Sequence, residues 1–310
     1  MSIHDHDGSR GVILAVVDIG TNTLKFTVAN CFQDGTIVEL AERSETVRIG
    51  AGIETTGRID ERRAQRAIDA LKTFERIANQ HGAVACAGVA TETLRIATNG
   101  EVLLARIAAE TRWDIAVISG EEEARLTYVG LREMLPDHGR VCIVDIGGGS
   151  TEWISAEHLE MRWAKSIAIG SGRLADRFFQ SHPPGEAALA AVIENATDVF
   201  TKEIGKQNQR ADALRLSGGN GQYIDQLRSA LRLGDTLDRH VVGQVLTFLA
   251  QEQSKSVAQL LGMSEERARV LPAGAAIAAA AIDVIRPTEI ASVPSGIRSG
   301  LLRELVRRYT

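Results

Sequence analysis

The chain has 310 residues, a formal net charge of −5, and a composition 44% hydrophobic, 24% charged and only 4% aromatic. That length suggests two domains of ordinary globular composition, and the longest apolar run, residues 273–282, falls short of the ~20 residues a membrane-spanning helix needs. The acidic balance and scarce aromatics argue against a broad basic face or a stacking surface for nucleic acid.

Residues 1–10, in which His4 and His6 flank Asp5, read as a disordered tail rather than a signal peptide. Residues 12–18 are an apolar run, as in a buried strand. Residues 24–30 alternate Leu24, Phe26 and Val28 against Lys25, Thr27 and Ala29, and the turn at Asp34-Gly35 leads to a third strand at 36–42. A helix is predicted over 60–80, with Asp60 as cap, Ala64, Ala67, Ile68, Leu71, Phe74 and Ile77 on one face, and Gly82 past its end. Strand 83–90, helix 99–111, strand 114–119 and helix 120–135 complete a first half. The pattern then restarts with strands at 140–146, 151–155 and 159–165 and helices at 172–180 and 184–204. Strand 214–217 runs into Gly218-Gly219-Asn220-Gly221 and a helix. Long helices at 237–261 and 264–285, the second broken near Pro272, a strand at 289–293 and a helix at 300–309 follow.

Val16-Val17-Asp18-Ile19-Gly20 and Ile143-Val144-Asp145-Ile146-Gly147 are near-copies, one in each half. A repeat on this scale means duplicated domains. The expected division is a tail at 1–10, a first domain at 11–126 and a second at 127–310, with the last helix able to return to the first domain. No Pro- or Ser-rich linker intervenes, so one body with a cleft between the halves is expected. Cys31, Cys86 and Cys142 are an odd count without metal-ligand spacing, which suits reduced thiols in the cytoplasm.

Three consecutive glycines at Gly147-Gly148-Gly149, followed by Ser150 and Thr151, let backbone N–H groups approach phosphate oxygens. The next element is a strand and no Gly-Lys-Ser/Thr follows, so this is neither a Rossmann nor a P-loop turn. Gly20-Thr21-Asn22-Thr23 is the matching turn of the first half, with Lys25 adding charge. Asp18 and Asp145 would converge beside the phosphate, an arrangement that suits Mg²⁺; capping of their own turns is the alternative. Ser119 and Glu122 form a capping-box pattern, which leaves Glu123 free to face the cleft. Arg95 is either a phosphate clamp or a surface ion-pair residue. Gly218 and Gly219 either bind phosphate at a helix start or allow tight packing.

Together these segments resemble the Ppx/GppA phosphatase family, exopolyphosphatases and guanosine pentaphosphate phosphohydrolases, in its short two-domain form. The resemblance runs through Asp18–Thr23, Thr91–Ala97, Ser119-Gly120-Glu121-Glu122-Glu123-Ala124-Arg125, Asp145-Ile146-Gly147-Gly148-Gly149-Ser150-Thr151-Glu152, residues 170–174, Ser217–Gly221 and residues 296–302. It implies an α/β fold of two RNase H-like domains around a cleft, as in the actin, sugar-kinase and heat-shock chaperone superfamily. It implies that Glu123 is the general base and that Arg95 contacts phosphate. Asp145 and Glu152, with Asp18, would surround Mg²⁺, with Mn²⁺ or K⁺ as further ions. Gly20, Thr21, Asn22, Thr23, Gly147 to Thr151, Gly218 and Gly219 would bind phosphate. Gly296-Ile297-Arg298-Ser299-Gly300 departs from the family pattern, because no glutamate follows Arg298 to form a local ion pair.

The expected activity is hydrolysis of a terminal phosphoanhydride by Mg²⁺-assisted water attack. Inorganic polyphosphate is the expected substrate and pppGpp the alternative. A superfamily kinase and a non-catalytic polyphosphate or nucleotide sensor rank lower. A cytoplasmic protein without nucleic-acid or membrane partners follows from composition, and a homodimer from the resemblance.

Overall fold

In the first half, strands β1 (Val12–Ile19), β2 (Thr23–Cys31) and β3 (Ile37–Thr46) precede helices α1 (Ile53–Thr56) and α2 (Glu61–Gln80). Strand β4 (Ala85–Ala90), helices α3 (Glu92–Ile96) and α4 (Gly100–Glu110), strand β5 (Asp114–Val117) and helix α5 (Gly120–Leu131) follow. The second half holds β6 (Arg140–Ile146), β7 (Thr151–Glu157), β8 (Glu160–Ile167), α6 (Ser171–Phe178), α7 (Glu186–Glu203), β9 (Ala213–Ser217) and α8 (Gly218–Ala230). It ends with α9 (Arg239–Gln251), α10 (Ser254–Leu261), α11 (Glu265–Ala268), α12 (Leu271–Ile285), β10 (Glu289–Val293) and α13 (Gly296–Tyr309). The structure, a computed structural model, describes residues 11–294 and 296–309, so the tail at 1–10 lies outside it.

Each half contains one five-stranded sheet, ordered β3-β2-β1-β4-β5 and β10-β9-β6-β7-β8. Read outward from β1 and from β6, the two orders are the same. In each, the first three strands pair antiparallel and the last two join parallel. This is the duplication that the repeat predicts, in the RNase H-like plan that the resemblance implies. Phe26 and Trp153 occupy matching places in it, each fully buried and paired with the residue before the motif aspartate, Val17 or Val144. Phe26 stacks on Phe74 with centroids 5.0 Å apart, and Trp153 lies 5.1 Å from Phe200. Such pairs add ~0.5–1.5 kcal/mol beyond their burial.

Several element bounds differ from the sequence reading. The predicted helix at 237–261 is two helices, with Glu252 and Gln253 extended between them. The break in the next one falls at Arg269 and Val270, just before Pro272, which opens α12 where its missing N–H costs nothing. The stretch Glu265–Ile285 is apolar and long enough to cross a membrane, yet 83% of its most apolar window is buried inside the fold. Its alanines, among them Ala275, Ala276 and Ala278 to Ala281, let it sit close between neighbouring helices of the second half. All three cysteines are buried and free.

The two halves exchange helices. Helix α5 follows β5 of the first sheet, but its Ala124, Tyr128 and Leu131 pack with Val141, Ile143, Ile154 and Ala156 of the second sheet. Helix α13 follows β10 of the second sheet, but its Leu302, Leu305 and Val306 pack with Leu14, Val16, Ala29 and Cys31 of the first. The division expected at residue 126 therefore falls inside α5. The helices cross backbone to backbone: a Cβ on Gly130 would lie 1.9 Å from the Gly296 carbonyl oxygen, and one on Gly300 2.1 Å from that of Leu126. Arg125 adds an ion pair to Glu304 across the crossing. This exchange carries the start of α5, and with it Glu123, onto the second sheet.

Candidate active site

The two motif turns are built alike. The amide of Gly20 closes the first on the Thr23 carbonyl at 3.2 Å, and the amide of Gly147 closes the second on that of Ser150 at 2.9 Å. The amides of Thr21 and Asn22, and of Gly148 and Gly149, stand outside these closing bonds. The turns also meet each other. A Cβ on Gly148 would lie 2.6 Å from Asn22 Cγ, and one on Gly149 only 1.9 Å from a Glu92 carboxylate oxygen. The glycines are thus required by close approach of the halves as well as by any bound anion.

At this meeting point lies a cavity of about 60 Å³ lined by Asp18, Gly20, Thr21, Asn22, Thr23, Glu123, Asp145, Gly147, Gly148, Gly149, Ser150, Glu152 and Gly219. Most of the residues chosen from sequence therefore converge. Three do not line it. Thr151 donates its hydroxyl to the Ile169 carbonyl at 2.6 Å, and so fixes the fold. Gly218 sits behind Asp145 at φ 76°, where a Cβ would lie 2.5 Å from Asp145 Oδ1. Arg95 is exposed and donates to the Ile118 carbonyl at 2.6 Å.

Asp18 and Glu152 are buried, and Asp145 half-buried, at the ends of the central strands. Across β1 and β2, Asp18 faces Lys25; across β6 and β7, Asp145 faces Glu152. Burial pushes Asp18 up to about 6, against the pull of Lys25 and Arg298. Burial and then the Asp145 charge push Glu152 up to about 8, although Ser150 and Ser166 donate to its Oε1 at 2.9 and 2.7 Å. Burial raises Asp145, which accepts from Ser217 at 3.0 Å. Glu123 lies in the first turn of α5, where Ser119 caps the helix by accepting from the Glu122 amide at 3.2 Å. The Glu122 side chain pairs with Arg125, so Ser119 supplies the cap alone. Burial and then Glu152, Asp18 and Asp145 hold the Glu123 carboxyl well above its usual range, opposed by Arg95.

Among the described residues, three buried oxygens of cavity-lining side chains have no hydrogen-bond partner: Asp18 Oδ1, Thr23 Oγ1 and Glu123 Oε2. Buried polar atoms left unpaired are costly, and several at one point mark a place built for a ligand or ion.

The sequence reading missed several residues. Arg267, 8% exposed, lines the cavity, lies 5.6 Å over the Tyr223 ring and forms no ion pair among the described residues. Local sequence gives no sign of this, because Glu265-Glu266-Arg267 reads as a solvated helix start. Lys25, noted as an added charge, also lines the cavity, and burial pulls its ammonium down. Thr23, Lys25, Gly219 and Arg267 continue into an adjoining cavity of about 350 Å³ that also holds Arg43, Tyr223 and Arg298. Arg298 has an acidic partner despite the missing local glutamate. Glu42 of β3 supplies it, and Arg298 also donates to Thr27 and to the Phe26 carbonyl.

Two hairpin turns facing each other across duplicated RNase H-like halves, with carboxylates behind them, define an actin-like ATPase fold. The chain matches the Ppx/GppA phosphatase family over residues 28–309 and belongs to it. It is 27% identical to exopolyphosphatase 1 of Mycobacterium tuberculosis over 299 residues, covering 93% of this chain and 87% of that one. It is 26% identical to the guanosine-5'-triphosphate,3'-diphosphate pyrophosphatase of Vibrio vulnificus, over 95% of this chain and 59% of that one. Among solved structures, an exopolyphosphatase from Cytophaga hutchinsonii superposes with a TM-score of 0.85 at 26% identity, over 96% of this chain and 98% of that one. The Aquifex aeolicus family member gives 0.77 at 25% identity, over 96% and 99%. The protein is thus a family hydrolase of phosphoanhydride bonds.

Proposed function

We propose that the protein is an exopolyphosphatase-type hydrolase that removes the terminal phosphate of inorganic polyphosphate, with Glu123 as the general base. The observation that carries this reading is the convergence of unpartnered Asp18 Oδ1, Thr23 Oγ1 and Glu123 Oε2 on one cavity between two backbone turns. In this reading the turn amides, Thr23 and Lys25 hold the terminal phosphoryl group. Glu123 takes the proton of a water whose oxygen forms the new bond to phosphorus. The bridging P–O bond breaks and the electron pair leaves with the shortened chain. Positioning and electrostatics supply most of the rate. Burial and the neighbouring carboxylates raise the Glu123 carboxyl, which makes its carboxylate form a stronger base than a free glutamate. The cations of the adjoining cavity, Lys25, Arg43 and Arg267, suit the remaining phosphates of the chain.

The carboxylates fit a divalent ion. Asp18, Asp145 and Glu152 would hold it, and the unpartnered Asp18 oxygen is the donor chemistry it needs. Among the described residues no three His, Cys, Asp or Glu side chains come together as a metal cage, so one or two of these carboxylates at a time would ligate Mg²⁺, with water and substrate phosphate completing its shell. When bound, Mg²⁺ would neutralise charge on the phosphoryl oxygens.

The test is phosphate release from polyphosphate of defined chain length and from pppGpp, side by side with Mg²⁺. Higher kcat/KM on polyphosphate is expected. Release from pppGpp alone would move the assignment to the guanosine pentaphosphate phosphohydrolases. ATP consumption that depends on an added acceptor would move it to the kinases.

A further inference from the structure

Arg173 joins the two halves at a place the reaction described above does not use. It is one of the first residues of α6, in the second half. Its amide donates to the Gly148 carbonyl at 3.1 Å and its Nε to the Gly149 carbonyl at 3.1 Å. The two terminal nitrogens leave that half: Nη2 reaches Glu92 at 2.9 Å and Nη1 reaches Glu54 at 2.6 Å. Glu92 is itself buried, its carboxylate lying against the Cα of Gly149. One guanidinium therefore grips the second phosphate turn by the Gly149 carbonyl and the first half by two carboxylates. Asp176, also on α6, pairs with Arg48 of the first half at 2.6 Å, but the acids of that pair and of Arg173–Glu54 are about half exposed, at 46% and 49%, whereas the Glu92 side chain is 8% exposed. The shielded contact is the stronger candidate to fix the geometry, because exposed pairs contribute little.

We propose that Arg173 is a positioning residue that keeps the second turn seated against the first, so that amides from both halves face one phosphate before substrate arrives. The planar fork makes this arginine rather than lysine work, since one ammonium cannot satisfy two carboxylates and a carbonyl in this geometry. The proposal rests on the reading of the two turns as a shared phosphate site. Without the clamp, fewer molecules hold the competent arrangement, and apparent affinity falls by that fraction while the saturated enzyme turns over as before.

Four variants, a control variant and a scattering measurement test this. Arg173→Ala should raise KM for polyphosphate about tenfold or more with kcat held within about twofold. Arg173→Lys should fall between it and the native protein. Glu92→Gln should raise KM, and the double variant should match Arg173→Ala alone, because both remove one shared contact. Small-angle scattering of the substrate-free protein should show a larger radius of gyration for Arg173→Ala and no change for Arg177→Ala, an exposed neighbour on α6. A fall in kcat with KM unchanged, additive effects in the double variant, or an unchanged radius would each overturn the proposal. The scattering arm needs no substrate, so failure of the native protein to act on polyphosphate would count against the substrate and leave Arg173 to be decided by the radius.

Discussion

The first and second turns share one backbone and differ in one charge. Asp18 and Asp145 end matching strands, Gly20 and Gly147 close matching turns, and Phe26 and Trp153 anchor matching cores. The residue facing the aspartate is Lys25 in one half and Glu152 in the other. A duplicated scaffold has thus been given opposite chemistry at one position. The first half offers a cation beside its turn, suited to phosphate. The second offers a second carboxylate, suited to a metal ion. The helix exchange completes the division, since α5 carries Glu123 from the first half to the carboxylates of the second. Gly120 presses on Ser166, the residue that also holds Glu152.

Removing the difference should have unequal consequences. Glu152→Gln strips the second turn of its extra charge, and the Mg²⁺ needed for half-maximal phosphate release should rise ~10–100-fold, a magnitude typical for disturbing a metal site. Metal titration of activity checks this, and an unchanged Mg²⁺ requirement would refute the metal role. Lys25→Ala strips the first turn, and kcat/KM should fall about tenfold with the Mg²⁺ requirement unmoved. Steady-state kinetics at saturating Mg²⁺ measure it; a shifted Mg²⁺ requirement instead would erase the division between the halves.

The smallest effect is on stability. Asp18 titrates near 6 against an ordinary 3.8, and Glu152 near 8 against 4.5. Between those limits the folded protein binds more protons than the unfolded chain. In EDTA, stability should therefore fall as pH rises from about 4.5 to about 8, and these two groups should change it no further above that. Thermal melts across that window should show a drop of a few degrees, partly recovered by Mg²⁺ at the alkaline end. A Tm that rises across it would contradict the burial of these carboxylates.

Much of this was legible in the sequence, for a physical reason. A strand that ends in Asp-Ile-Gly and opens a small-residue turn is a local signal, and it occurs twice. Asp18, Asp145, Glu152 and Glu123 could be named from it and from the family resemblance. What stayed hidden depends on tertiary approach. Arg267 has unremarkable neighbours in sequence, and Arg173 and Glu92, although inside segments that carry the resemblance, gain their surroundings only when the halves meet. Gly130, Gly296 and Gly300 look like ordinary helix-weakening glycines until α5 and α13 cross at backbone contact. The four-residue spacing of Gly296 and Gly300, which share a helix face, was the available clue. Arg298 shows the same limit in reverse: its missing partner was visible in sequence, but its replacement, Glu42, lies in another half of the fold.

The central claim is that the exchanged helix delivers the base, and the direct test is phosphate release by Glu123→Gln. Turnover should fall by ~10²–10⁴-fold, the usual contribution of a general base, with the melting temperature and Mg²⁺ binding preserved. Near-normal phosphate release from a well-folded Glu123→Gln protein would contradict the account.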